Sequence, residues 1–166
     1  VYDSESDRIL VFDGSSNGDD VYSYNYNTDT WTTMGDSPSN LYGAGGFVYD
    51  SESDRILAFD GSSNGDDVYS YDYNTDTWTT MGDSPSDWYG ATDIVYDSES
   101  DRILVFDGSS NGDDVYSYDY NTDTWTTMGD SPSNWYGAYG VVYDSESDRI
   151  LVFDGSSNGD DVYSYN

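Results

Sequence analysis

The sequence predicts an all-β fold in which four-stranded antiparallel sheets stack side by side around an axis, and three observations predict it. The segment VYDSESDRIL begins at Val1 and returns at Val48, Val95 and Val142, a period of 47 residues without insertion or deletion. Each copy alternates four β-prone runs with polar turns, and no stretch carries a helical apolar period. Aromatic residues make up 17% of the 166-residue chain and fall at regular places, so there is apolar surface to bury despite a net charge of -30.

The strands follow one another in each copy. Ala138-Tyr139-Gly140-Val141-Val142-Tyr143 is a short β-prone run, here called strand a. Asp144-Ser145-Glu146-Ser147-Asp148 is a polar turn whose side chains can bond nearby backbone groups. Arg149-Ile150-Leu151-Val152-Phe153 is a continuous apolar run, the mark of a strand b buried on both faces. Asp154 to Gly159 form a loop with two glycines available for positive φ. Asp161-Val162-Tyr163-Ser164-Tyr165 gives strand c. In complete copies a turn at Asn121-Thr122-Asp123 leads to strand d, Thr124-Trp125-Thr126-Thr127-Met128, and Gly129 to Ser133 close the unit.

A lone four-stranded meander cannot cover both of its apolar faces. Successive copies stacked around an axis cover each other, which is the β-propeller solution. Blades are expected at about 1–40, 41–87, 88–134 and 135–166, the last without its outer strand. Three arrangements follow: a four-bladed ring, two chains sharing one larger ring, or a piece of a longer array. The chain lacks an initiating Met and begins and ends within a repeat, as a processed or excised segment does. Self-association, or continuation of the array, is the expected partnership, because an open array leaves an apolar blade face bare.

Three segments carry a family resemblance. Asp101-Arg102-Ile103-Leu104-Val105-Phe106-Asp107-Gly108, then Asp114-Val115-Tyr116-Ser117-Tyr118-Asp119, then Thr122-Asp123-Thr124-Trp125 together resemble a Kelch repeat. That family's signature is four hydrophobic residues, a double glycine and a spaced Tyr and Trp. Pro132 to Ala138 is similar to the Kelch loop before the innermost strand. The resemblance implies a propeller of four-stranded blades, usually six or seven of them. The chain departs from the pattern in two places. Asp13, Asp60, Asp107 and Asp154 replace the first Gly of the pair, a turn position where Asp tolerates unusual φ. Leu41 or Trp88, and Ala44 or Ala91, stand where the family often has basic residues and His.

Charge excludes some functions. Against 34 acidic residues there are 4 cationic ones, all Arg, with no His and no Cys. Nucleic acid is a poor partner, because phosphate binding needs clustered cations. An anionic membrane surface repels such a chain, and no run is apolar enough for membrane insertion. An Asp-rich, Lys-free surface fits a high-salt or cation-rich setting outside the cell or at its surface, where salt screens self-repulsion. Amplification of one acidic unit explains the magnitude equally.

Only seven of the 47 columns vary among the three complete copies, and five of them fall in one eight-residue window. That window is the d-to-a loop and the start of strand a, a region that rims the central channel in a propeller. The candidate ligand-binding residues are Asn40, Leu41, Tyr42, Asp87, Trp88, Tyr89, Thr92, Asp93, Asn134, Trp135, Tyr136 and Tyr139. Aromatic platforms beside Asn and Asp suit a glycan or a peptide. Packing between blades is the competing reading for the same residues. A second candidate is the carboxylate spacing of Asp3, Glu5 and Asp7, and of Asp72, Asn74 and Asp76, reminiscent of calcium loops but without the Gly and Glu of a full EF-hand. Ordinary turn bonding competes with calcium there; no other cofactor is expected. Each Arg is expected to pair with an acid of its own turn. Every carboxylate pair recurs in each blade, whereas an active site is built once, so no enzyme is expected. The functional expectation is a non-enzymatic binding or adhesion module with its ligand at the d-to-a rim. The alternative is a structural self-assembling repeat protein: a surface layer, a fibre or an engineered propeller.

Overall fold

The computed structural model describes residues 1–13, 18–38, 41, 46–60, 66–85, 91–107, 114–131, 138–154 and 161–166. These form four antiparallel sheets with no helix among the described residues. Blade 1 holds β1 (Tyr2–Asp3), β2 (Arg8–Phe12), β3 (Val21–Asn25) and β4 (Thr30–Thr33). Blade 2 holds β5 (Gly46–Asp50), β6 (Arg55–Phe59), β7 (Val68–Asp72) and β8 (Thr77–Thr80). Blade 3 holds β9 (Ala91–Asp97), β10 (Arg102–Asp107), β11 (Val115–Asp119) and β12 (Thr124–Thr127). Blade 4 has three strands, β13 (Ala138–Asp144), β14 (Arg149–Asp154) and β15 (Val162–Tyr165). Each sheet is a meander in chain order, and β5, β9 and β13 lie side by side, so the blades follow one another as in a β-propeller.

Register gives every blade two distinct faces. Leu10 pairs with Ser23 and Phe12 with Val21, which places these four on one side of the sheet. Ile9 with Tyr24 and Val11 with Tyr22 occupy the other. The first side faces the following blade and the second side faces the preceding one. Between blades 1 and 2, Leu10 meets Ile56 and Tyr71. Between blades 2 and 3, Leu57, Phe59 and Val68 pack with Ile103, Val105 and Tyr118. Between blades 3 and 4, Leu104, Phe106 and Val115 pack with Ile150 and Val152. Burying one such side chain stabilises by about 1.5–3 kcal/mol, so strand b is apolar throughout because each face meets a neighbour.

The same aromatic contact repeats at each junction. Phe12 stands edge-on to Tyr71 and Trp78 at 6.2 and 5.8 Å. Phe59 stands edge-on to Tyr118 and Trp125 at 6.1 and 5.8 Å, and Phe106 to Tyr165 at 6.1 Å.

The a–b and c–d hairpins are built alike. Asp3 Oδ1 accepts the amides of Glu5 and Ser6, an Asx turn, and Asn25 and Asp72 do the same in the c–d turn. Four residues on, an Asp takes the left-handed conformation, for example Asp7 at φ 56°, Asp29 at 52° and Asp76 at 54°. Asp tolerates that region, and here its carboxylate also accepts a strand tyrosine. Tyr2 donates to Asp7 at 2.8 Å, Tyr49 to Asp54 at 2.9 Å and Tyr71 to Asp76 at 2.7 Å.

Two expectations are corrected. Asp13 and Asp60 do not take positive φ; each directly follows the end of strand b with its amide bonded to the carbonyl of Asp20 or Asp67, and β10 and β14 run on through Asp107 and Asp154. The left-handed aspartates are instead those that end the hairpin turns. The Arg ion pair is also non-local. Arg55 Nη2 lies 3.1 Å from Asp72 and Arg102 Nη2 lies 3.2 Å from Asp119, both at the end of strand c where the c–d turn begins, while Nη1 donates to carbonyls of the Arg's own turn. The guanidinium thereby ties two hairpins of one blade together.

Candidate functional site

The variable window is partly explained by packing. Phe47 pairs across the sheet with Ala58, Ile94 with Val105, and Val141 with Val152. The largest residue in one column therefore faces the smallest in the other, which conserves volume between β5 and β6. Phe47 uses the space to stack on Phe12 at 4.2 Å. Leu41 is buried against Ala58 and Tyr69. Gly46 leaves room for its neighbour, because a Cβ there would lie 2.5 Å from the end of the Ile94 side chain, which would have to shift.

Asp93 is what packing leaves unexplained. It occupies the column of Gly46 and Gly140, on β9, directly opposite Phe106. Its Oδ2 is buried and has no hydrogen-bond partner among the described residues. Burial raises its carboxyl to about 6, because desolvation penalises the charged form. A half-buried carboxylate with an open acceptor is a place where a ligand's donor can bind.

Of the other candidates, Thr92 lies in β9 and Tyr139 in β13. Asn40, Tyr42, Asp87, Trp88, Tyr89, Asn134, Trp135 and Tyr136 lie outside the described residues. What the sequence missed is how the window divides: columns 11 and 47 vary together as packing partners, and that joint change was the available signal.

The acidic turns are occupied by the protein's own donors. Asp3 Oδ2 accepts the Ser6 hydroxyl at 2.6 Å. Asp7 accepts Tyr2, Tyr26 and the Asn27 amide, and these bonds lower its carboxyl below the usual range. Asp72 holds Arg55, Asn74 donates to Asp54, and Asp76 accepts both Tyr71 and the amide of Gly35 in blade 1. Asp3 and Asp7 of the first proposed calcium turn, and Asp72, Asn74 and Asp76 of the second, therefore hold the protein's own groups. Among the described residues no three acidic groups converge as metal ligands do.

A cavity of about 490 Å³ lies between blades 3 and 4, lined by Leu104, Thr126 and Met128 on one side and Tyr143, Ile150 and Tyr165 on the other. At the junction of blades 2 and 3, Trp125 of strand d packs into the cluster with Leu57 and Met81. Blade 4 has no strand d to supply that tryptophan, so the cavity is a junction with one side chain fewer.

These features define the class: a tandem-repeat all-β propeller array, with one variable inner strand carrying an unmatched carboxylate. The chain belongs to the GW (Gly-Tryp) dipeptide domain family, whose signature matches residues 3–44, 50–98 and 96–142. That is a different repeat family from Kelch, so the Kelch resemblance is upheld only for the repeated blade architecture. No curated protein sequence matches the chain. Among solved structures, the chain is similar to one in the crystal structure of a nidogen/laminin complex, with TM-score 0.72, 14% identity, and coverage of 92% of this chain and 54% of that one. It is also similar to an auxiliary nutrient binding protein from Bacteroides ovatus ATCC 8483, with TM-score 0.71, 12% identity, and coverage of 100% and 38%. The corresponding protein of Bacteroides thetaiotaomicron VPI-5482 gives TM-score 0.65 at 11% identity, covering 99% and 40%. These likenesses are of fold, and the chain spans about half or less of each structure.

Proposed function

We propose that this chain is a non-enzymatic binding module, acting outside the cell or at its surface, that takes a glycan or a peptide at the rim formed by its d-to-a loops and inner strands. The observation that carries the reading is Asp93: in an array whose blades are otherwise near copies, it is a buried acceptor with no protein donor among the described residues, placed beside the variable loop. Two similar folds, an auxiliary nutrient binding protein and a chain of a nidogen/laminin complex, support a binding role in the same way that any shared scaffold does. Trp88 and Trp135 supply the aromatic faces that sugars and peptides stack on. Glycan and peptide arrays identify the ligand, and calorimetry then compares Trp88→Ala, Trp135→Ala and Asp93→Asn with the parent. The expected result is weakening by about tenfold or more in at least one tryptophan variant and in Asp93→Asn. Arrays without a hit, or affinities untouched in all three folded variants, would contradict it. A second reading, the structural self-assembling repeat, is favoured by a separate observation: the bare sheet faces at the two ends.

A further inference from the structure

The large apolar residues exposed among the described residues sit on two surfaces only. Tyr2, Val11, Tyr26 and Trp31 belong to the rear of blade 1, and Val142, Phe153 and Val162 to the front of blade 4. Each has counterparts in the same column that a neighbouring blade covers. Val21, Val68 and Val115 are 0% exposed, whereas Val162 is 58% exposed. Val105 and Val152 are 0% and 1% exposed, whereas Val11 is 39%. Phe59 and Phe106 are 1% and 2% exposed, whereas Phe153 is 41%.

We propose that the front of blade 4 docks onto the rear of blade 1 of a second copy, head to tail, and that two copies close one eight-bladed ring. The occupant is specified by the junctions inside the chain. Phe12 fits against Tyr71 and Trp78, and Phe59 against Tyr118 and Trp125. The next member of that series is Phe153, and its matching pair is Tyr24 and Trp31, which rest on each other at 4.7 Å with Trp31 uncovered. Polar contacts follow the same rule. The Ser23 hydroxyl meets that of Tyr73, and Ser70 meets Tyr120, each at 3.4 Å. Ser164 and the exposed Tyr26 are the open ends of that series. Tyr49, Tyr96 and Tyr143 donate to the Asp of their own hairpin and lie near enough to Asp3, Asp50 and Asp97 of the blade before for those carboxylates to raise their hydroxyls, and Tyr2 of the second copy would stand beside Asp144 in the same way. The two surfaces are thus the separated halves of an interface the chain already forms three times. An interface between unlike surfaces closes a ring when the rotation allows, and eight blades lie within the range of known propellers. Each copy carries a net charge of -30, so association strengthens as salt screens the repulsion.

The test is solution mass by light scattering and sedimentation on the 166-residue chain, at low and at molar salt. Two variants accompany it, Val11→Asp on the rear surface and Phe153→Asp on the front one. Both side chains are exposed in the single chain, and thermal melting verifies that each variant folds. The expected parent is a dimer, more so in salt. Each variant alone should dissociate about tenfold or more readily, and the two mixed should recover a heterodimer through their one intact junction. A parent that is monomeric at high concentration and high salt overturns the proposal. So does a dimer indifferent to either variant, since a symmetric contact needs only one of the two surfaces. Open polymers stopped by both variants would keep the junction and overturn closure at two copies.

Discussion

Blades 1 and 3 carry nearly the same residues and differ in what surrounds them. Thr30-Trp31-Thr32-Thr33 and Thr124-Trp125-Thr126-Thr127 are one sequence, both in strand d, both with the tryptophan leaning on a strand-c tyrosine at 4.7 and 4.8 Å. Trp125 also meets Phe59 of the blade before it, while Trp31 has no blade behind it and lies exposed. Local structure is therefore a property of the 47-residue unit, and burial is a property of its place in the array. Repeat arrays behave this way because each unit contacts only its neighbours.

The largest expected consequence is the cost of removing one ring. Phe59→Ala should cost about 3–5 kcal/mol in chemical unfolding, the loss expected for a fully buried aromatic. Phe153→Ala in the dilute single chain should cost under about 1 kcal/mol, the range of surface changes. Equal losses would break the comparison between interior and end.

Next comes a hydroxyl. Tyr71→Phe removes a bond to the Asp76 carboxylate inside a junction and should cost about 1.5–3 kcal/mol, whereas Tyr24→Phe, whose bond to Asp29 is exposed, should cost a few tenths. Burial, reinforced by the Asp76 bond, also raises the Tyr71 hydroxyl well above its ordinary range. Unfolding at high pH therefore releases a proton the native state keeps. Stability is retained below about pH 10 and lost as pH climbs beyond it, and Tyr71→Phe should flatten that loss.

Asp93 gives the opposite sign from an ordinary paired acid. Its folded carboxyl titrates near 6 rather than at 3.8, so the native state holds a proton the unfolded chain has released. Stability should fall as pH rises from about 4 to 6, and Asp93→Asn should remove that slope. Because the group is only half buried, the gain at neutral pH should be of order 1 kcal/mol, read from melts across pH. A slope unchanged in the variant would contradict the burial of Asp93. The smallest effect concerns Asn25, which stands where Asp72 and Asp119 hold an Arg. Asn25→Asp should add an ion pair to Arg8 worth a few tenths of a kcal/mol that fades in salt.

Much of the fold was legible because its signals are local and repeated. Val162 to Tyr165 and Thr124 to Thr127 emerge as strands where alternation and β-branched residues place them, and the Asp-Ser-Glu-Ser-Asp turn bonds its own backbone as its side chains allow. Pairings between distant residues were not legible, and the cause is the near identity of the copies. Gly35 and Asp76 join positions that never change, and the change from Asn25 to Asp72 meets no matching change at the Arg column, so nothing in the sequence marks these pairs as partners. Where columns do change, contacts surface, as with Phe47 over Ala58 against Ile94 over Val105. The candidate rim was legible as a zone of difference. Its division into packing residues and Asp93 required the register of the sheets.

Since the chain has no cysteine, single thiols can report burial at one column in every blade. Val21→Cys, Val68→Cys, Val115→Cys and Val162→Cys, treated with a thiol reagent at a concentration too dilute for association, test whether neighbours alone bury the blade faces. The account predicts that the thiol at 162 reacts as fast as a free one while the other three are protected by orders of magnitude, each waiting for its junction to open. Four thiols reacting at one common rate would contradict it.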